Sequence, residues 1–217
     1  MRLLHGLVLL SLSAALCLCG CRAQPPAPTT PPQPSAGPPQ AGAADLKGKS
    51  VLMVVAPKDF RDVEYTMPRE MLEGAGASIE VASTESGTAV GAEGTKVAVD
   101  LAAKNAKAAD YDAVVFVGGP GMVAYLANPD FVRLAKESVS AGKVTAAICV
   151  APAILANAGV LKGIEAIAFE SERSTLKDKG AILSAQDAVR VGKIVTANGP
   201  EAAHHFAMLV MEALKGT

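Results

Sequence analysis

The sequence predicts a doubly wound α/β domain, a mostly parallel sheet with helices on both faces. Three observations lead there. From residue 46 onward, short apolar and β-branched runs alternate with stretches of helical periodicity, the pattern of repeated βαβ units. The strand-like runs are apolar at nearly every position, as strands covered on both faces are. Two of them end in tight turns, Gly118-Gly119-Pro120-Gly121 and Cys149-Val150-Ala151-Pro152, and ligands in such folds bind beyond the carboxyl ends of strands.

Each element has its own warrant. Ser50 to Ala56 is a continuous aliphatic and β-branched run that predicts a strand. Val63 to Gly74 sets Val63, Met67, Met71 and Leu72 at helical spacing and stops at glycine, a common helix end. Ser78 to Ala82 reads as a second strand, Thr95 to Val99 as a shorter one, and Tyr111 to Val117 as the most apolar. Phe131 to Ala141 predicts a helix with Phe131, Leu134, Ala135 and Val139 on one face. Val144 to Ile148 is a further strand, followed by a helix from Ala153 to Ala158 that Pro152 opens and Gly159 closes. Proline suits the first helical turn, where its missing N–H costs nothing. Ile164 to Phe169 and Val189 to Ala197 are two short strand candidates, and Pro200 to Leu214 is a terminal helix.

Cys149 stands where an apolar strand stops and a helix begins. That turn lifts its sulfur out of the sheet and under a helix N-terminus, the geometry of a nucleophile elbow with cysteine in place of serine. The helix dipole there favours thiolate, so a thiol pKa well below the about 8.5 of free cysteine is expected. A small apolar cysteine filling the core is the bland alternative.

The N-terminal part reads differently. Arg2, the apolar run Leu7 to Leu18, and Leu18-Cys19-Gly20-Cys21 describe a secretory signal too short to span a bilayer. Leucine three residues before Cys21 and glycine just before it resemble a bacterial lipobox, which makes Cys21 the acylated first residue of the mature chain. Ordinary signal cleavage near Ala23 is the alternative. Residues 22–45 follow as a tether, with eight prolines and no charge between Pro25 and Ala44; such a segment cannot bury enough apolar surface to order itself. The predicted organisation is therefore residues 1–21 as a lipoprotein signal peptide, 22–45 as tether and 46–217 as one domain. The expected location is outside the cytoplasm, in the periplasm or outside the cell, with the membrane met through the lipid anchor alone. Of the four cysteines, Cys17 and Cys19 leave with the signal and Cys21 becomes a thioether. Cys149 is then a lone thiol, which excludes a disulfide-framed scaffold. A formal net charge of −1 with no basic stripe excludes nucleic acid as a partner.

Four segments make the chain recognisable. Asp62-Val63-Glu64-Tyr65-Thr66-Met67-Pro68, Val115-Phe116-Val117-Gly118-Gly119-Pro120-Gly121, Ala147-Ile148-Cys149-Val150-Ala151-Pro152 and Val195-Thr196-Ala197-Asn198-Gly199-Pro200 resemble, in this order, four motifs of the ThiJ/PfpI superfamily. That superfamily includes the Parkinson-linked protein deglycase and peptidase-like and glyoxalase-like proteins. The resemblance covers residues 48 to 215 and implies a flavodoxin-like, class I glutamine amidotransferase-like fold. It gives Cys149 the role of reactive thiolate. Glu64 falls where the family places a protonated carboxylic acid against the sulfur, which agrees with the tendency of a carboxyl buried beside a thiolate to become neutral. The bland reading of Glu64 is a first-turn glutamate favoured by the helix dipole. Gly119 and Val150 would present backbone N–H groups to an oxyanion, and Gly118 is read as serving the turn.

The departures from the family are as informative. The peptidase-like branch has histidine directly after the cysteine, where this chain has Val150. The Parkinson-linked branch brings a histidine from the strand after the elbow helix, here Ala168-Phe169-Glu170, and an arginine before the last Gly-Pro, here Asn198. His204 and His205 are adjacent on a helix, so at most one can face a pocket, and they lack the spacing of a helical zinc pair. Glu170 and Glu172 are read as a charged loop. No metal and no other cofactor is expected.

Two functional classes follow. One is a cofactor-free cysteine hydrolase or glyoxalase/deglycase-type enzyme acting on small carbonyls or their protein adducts. The other is a redox-sensing or chaperone-like protein whose Cys149 is reversibly oxidised. A peptidase is the least favoured reading, and the resemblance is compatible with a homodimer.

Overall fold

The computed structural model describes residues 45–216; the expected signal peptide, Cys21 and all but the last residue of the expected tether lie outside the described residues. The first strand, β1 (Ser50–Val54), leads through β2 (Lys58–Phe60) into α1 (Asp62–Gly74). Then come β3 (Ser78–Ser83), β4 (Gly87–Gly91), β5 (Lys96–Val99), β6 (Leu101–Ala102) and β7 (Ala113–Phe116). The second half runs α2 (Pro129–Ser140), β8 (Val144–Ile148), α3 (Pro152–Asn157), β9 (Glu165–Ala166), α4 (Arg173–Asp178) and β10 (Ile182–Leu183), and closes with β11 (Ala188–Val191), β12 (Ile194–Ala197) and α5 (Ala203–Lys215).

Seven strands form the central sheet in the order β11-β12-β8-β7-β1-β3-β6. All neighbours pair in parallel except β11 with β12. The doubly wound, mostly parallel fold read from the sequence is the observed one. β1, β7 and β8 are buried at almost every residue, so their continuous apolarity reflects two covered faces. α1 packs on α5, and α2 packs on α3. The chain leaves β1 towards β3 and β6, then returns to place β7 on the other side of β1. That reversal opens a crevice at the carboxyl ends of β1 and β7, and the loops that leave β1, β7 and β8 meet there.

Three strand readings need correction. Val189 to Ala197 is not one strand but an antiparallel hairpin of β11 and β12, turning at Gly192 with φ of 60°. Ile164 to Phe169 contributes only the two residues of β9, paired with β10. Its remaining backbone is spent on tertiary bonds: the Ile167 N–H donates to Thr196 Oγ1 at 3.0 Å, and the Phe169 N–H to the Cys149 carbonyl at 2.7 Å. Thr95 to Val99 forms β5 of a separate three-stranded sheet, β2-β4-β5. This small sheet, unseen in the sequence, lies against the loops of the crevice.

Candidate active site

Cys149 has φ of 64°, a left-handed conformation uncommon for a residue with a side chain. The turn holds it there from both sides, since its N–H donates to the Ala197 carbonyl at 2.9 Å while its carbonyl accepts from Phe169. A strained residue persists where its surroundings over-determine it. The result is the elbow the sequence predicts, with Cys149 only 7 % exposed.

Glu64 reaches the same point from α1. It is fully buried, and neither carboxyl oxygen makes a well-formed hydrogen bond. The Cys149 thiol and the Gly118 N–H lie close enough to favour its charged form without being aligned as bonds. Gly118 separates the two groups. A Cβ there would stand 2.5 Å from the Cys149 Cβ and 2.7 Å from Glu64 Oε2. Gly118 therefore does more than serve the turn: its missing side chain lets acid and thiol meet.

Gly119 takes φ of 114°, and a Cβ on it would lie 2.2 Å from the Arg61 nitrogen. Only glycine fits against the β2–α1 corner, and the seating aims the Gly119 N–H at the Cys149 sulfur, joined there by the Val150 N–H. Cys149, Glu64, Gly119 and Val150 thus converge on one point.

The electrostatics differ from the sequence expectation. Burial, and then the Glu64 carboxylate, push the Cys149 thiol up to about 12 against the pull of the Gly119 and Val150 N–H groups. Burial lifts Glu64 to about 7, opposed by Cys149, Arg61 and the Gly118 N–H. The thiol pKa is raised, not lowered, for a physical reason: the sulfur is buried, and the charge acting on it is the Glu64 carboxylate. Near neutrality the pair gives up one proton readily and the second with difficulty, because two charges cannot share this site cheaply.

Of the other candidates, His204 and His205 are both exposed, and His205 Nδ1 pairs with Asp187 Oδ1 at 2.9 Å. Glu172 turns to Ser171 and Thr175. Glu170 pairs with Arg173 at 2.9 Å on the rim of a cavity of about 290 Å³ that Phe169, Asn198 and Glu201 also line. Phe169 is the residue bonded to the Cys149 carbonyl, so this cavity abuts the elbow. Sequence reasoning missed Arg173 there, and it missed Asp62, whose buried carboxylate braces the β4–β5 turn. A lone arginine in a charged loop and an acidic first-turn residue carry no signal that would have singled them out. Among the described residues, no cluster of three His, Cys, Asp or Glu is placed to hold a metal.

Comparison with known proteins finds similarity over nearly all of the described residues. The model of the DJ-1/PfpI family matches residues 49–213. An uncharacterized protein of Methanocaldococcus jannaschii is 38 % identical over 174 residues, covering 79 % of this chain and 85 % of its own. A glutathione-independent glyoxalase of Caenorhabditis elegans is 27 % identical, covering 77 % and 90 %. The crystal structure of a ThiJ/PfpI domain protein from Brachyspira murdochii superposes with a TM-score of 0.77 at 33 % identity, over 79 % of this chain and 99 % of that one.

Proposed function

The chain belongs to the DJ-1/PfpI family, and from that premise we propose that it is a cofactor-free, cysteine-dependent catalyst acting on small carbonyl compounds or their protein adducts. One observation carries the reading: a fully buried carboxyl with no well-formed hydrogen bond faces a strained cysteine at the sheet's crevice. A structural carboxyl in that position would be expected to have partners.

In the proposed reaction Cys149 Sγ bonds to the carbonyl carbon as its proton passes to the Glu64 carboxylate. The carbonyl π pair moves to oxygen, where the Gly119 and Val150 N–H groups receive the charge. Glu64 then gives that proton to the oxyanion, which forms a hemithioacetal and restores the carboxylate. With a 2-oxoaldehyde, Glu64 takes the proton from the thioacetal carbon and returns it to the neighbouring carbon, while the thioacetal hydroxyl proton passes to the neighbouring oxygen, which leaves a 2-hydroxy thioester. Water hydrolyses that ester to a 2-hydroxy acid and restores the thiol. A Glu64 pKa of about 7 suits a group that takes and returns a proton at neutral pH.

Methylglyoxal turnover tests the reading. Cys149→Ala should abolish it, and Glu64→Gln should lower kcat by about a hundredfold or more. Absence of turnover in the wild-type domain, with peroxide converting Cys149 to a sulfenate that thiols reduce back, would favour the redox-sensing alternative; the two N–H groups at the sulfur suit such an oxyacid as well.

The location belongs to the same proposal. The lipobox-like Leu18-Cys19-Gly20-Cys21 and the proline-rich stretch after it support a lipoprotein acylated on Cys21, with the domain held on a tether in the periplasm or outside the cell. Each buried CH₂ of an acyl chain adds about 0.8 kcal/mol, so several chains are needed for firm attachment. Cys21→Ser should release the domain from membranes or leave an uncleaved precursor. A native soluble form beginning near Gln24 would establish ordinary export instead.

A further inference from the structure

We propose that Asp62 is a positioning residue for the Glu64–Cys149 pair, tying the tip of the β4–β5 hairpin to the first turn of α1 and so fixing where the Glu64 carboxyl stands. The proposal rests on the reading of that pair as the reacting centre.

Glu64 sets the problem. With no well-formed hydrogen bond of its own, its carboxyl is held in place by the helix turn that carries it. That turn has no side-chain N-cap. Its anchor lies outside the helix. Asp62, 5 % exposed, points its carboxylate away from its own helix and onto the hairpin tip. Oδ2 accepts from the Glu93 N–H at 2.8 Å and Oδ1 from the Thr95 N–H at 2.9 Å. Gly91 makes room for it, since a Cβ there would stand 2.4 Å from Asp62 Oδ1.

The same corner reaches the oxyanion turn. The Ala92 N–H donates to the Phe60 carbonyl at 2.9 Å, and the Arg61 N–H to the Gly118 carbonyl at 3.1 Å. The hairpin tip, residues 60 to 62 and Gly118–Gly119 therefore form one hydrogen-bonded unit, and Glu64 stands in the same helical turn as Asp62. The groups acting on Glu64 are Cys149 from the elbow, Arg61 from the corner and the Gly118 N–H from the turn. Arg61 is in turn paired with Glu93 of the hairpin at 3.4 Å. Loss of the Asp62 clamp frees this arrangement at the hairpin end.

The rate of Cys149 alkylation by iodoacetamide, followed from about pH 5 to about pH 10, tests the proposal in the wild type, Glu64→Gln, Asp62→Asn and Asp62→Ala. The wild-type profile should carry an inflection near 7, from Glu64, which Glu64→Gln removes. Asp62→Ala should remove it too although Glu64 is still present, and should lower methylglyoxal turnover by about tenfold or more. Asp62→Asn, which keeps one acceptor, should fall between. If Asp62→Ala does not fold, Asp62→Asn and Gly91→Ala, whose added methyl displaces the carboxylate, give the same reading. Folded Asp62 variants that keep the inflection and retain turnover within about twofold, whatever their melting temperature, would overturn the inference and leave the Glu64–Cys149 reading standing. Identical profiles for wild type and Glu64→Gln would overturn both.

Discussion

Asp62 and Glu64 belong to the same helical turn and are both buried, yet the protein treats their charges in opposite ways. For Asp62, burial raises the pKa, but the Thr95 side chain and the Glu93 and Thr95 N–H groups more than offset it and hold the carboxyl below its ordinary range. For Glu64, burial wins and the pKa climbs to about 7. The hairpin side supplies donors to a carboxylate, while the elbow side supplies a thiol and a glycine. Desolvation alone therefore does not decide which buried acid stays ionised; the aligned N–H groups do. One side of the turn is built as an anchor and the other as a proton carrier.

The most severe way to break that contrast is to fill the space on the elbow side. Gly118→Ala places a methyl 2.5 Å from the Cys149 Cβ and 2.7 Å from both Glu64 Oε2 and the Ile148 carbonyl oxygen. Backbone and elbow cannot move far, so carboxyl and thiol must separate. Methylglyoxal turnover should fall to that of Cys149→Ala, with a stability loss of about 1–3 kcal/mol for overpacking. A variant with wild-type turnover would show that the two groups need not touch.

Next in size is the pH dependence of stability, which sharpens the contrast on the Glu64 side. The folded-state pKa of Glu64 is raised from 4.5 to about 7, so the fold holds this proton more tightly than the unfolded chain does. Its contribution is present in full below the unfolded value and is lost as pH rises through the folded one. That difference is worth roughly 3 kcal/mol. Urea unfolding of the wild type should thus give a free energy that falls between about pH 5 and about pH 8. Glu64→Gln, which has no proton to lose, should remove most of the slope and be the more stable protein at the higher pH. A wild-type curve rising over this interval would contradict the burial assigned to Glu64.

Much of this site was legible in the sequence because its parts sit where chain punctuation is strong. Gly118-Gly119 and Cys149-Val150-Ala151-Pro152 each follow a buried strand, and glycine and proline mark the turn chemically. What was not legible depends on backbone partners or on depth. β2 is three residues long with Lys58 and Asp59 exposed, so no apolar run announces it. β11 and β12 merge in the sequence because Gly192 and Lys193 alone divide two apolar runs. Asp62 looks like any acidic first-turn residue, since its partners are the main-chain N–H groups of a distant hairpin. The direction of the thiol pKa was misread for a related reason: the helix start is visible in the sequence, but the burial of the sulfur beside a carboxylate is not.

The smallest effect belongs to the charged pair outside this turn, and it is the control for the whole contrast. His205 and Asp187 pair at 2.9 Å with side chains 45 % and 56 % exposed. Asp187 is held below the ordinary carboxylate range by the His205 hydrogen bond. The sign follows from the carboxylate: its folded-state pKa is lowered, so the contribution is lost as pH falls through that range. Solvent screens such pairs, and their worth is typically below about 1 kcal/mol. His205→Ala should therefore change unfolding free energy by less than that. It should leave the alkylation profile of Cys149 unmoved, because a histidine engaged with a surface aspartate has no part in the Glu64–Cys149 proton exchange. A shifted profile would mean that the missing family histidine is supplied from α5, and the buried carboxyl would then no longer be the proton carrier by itself.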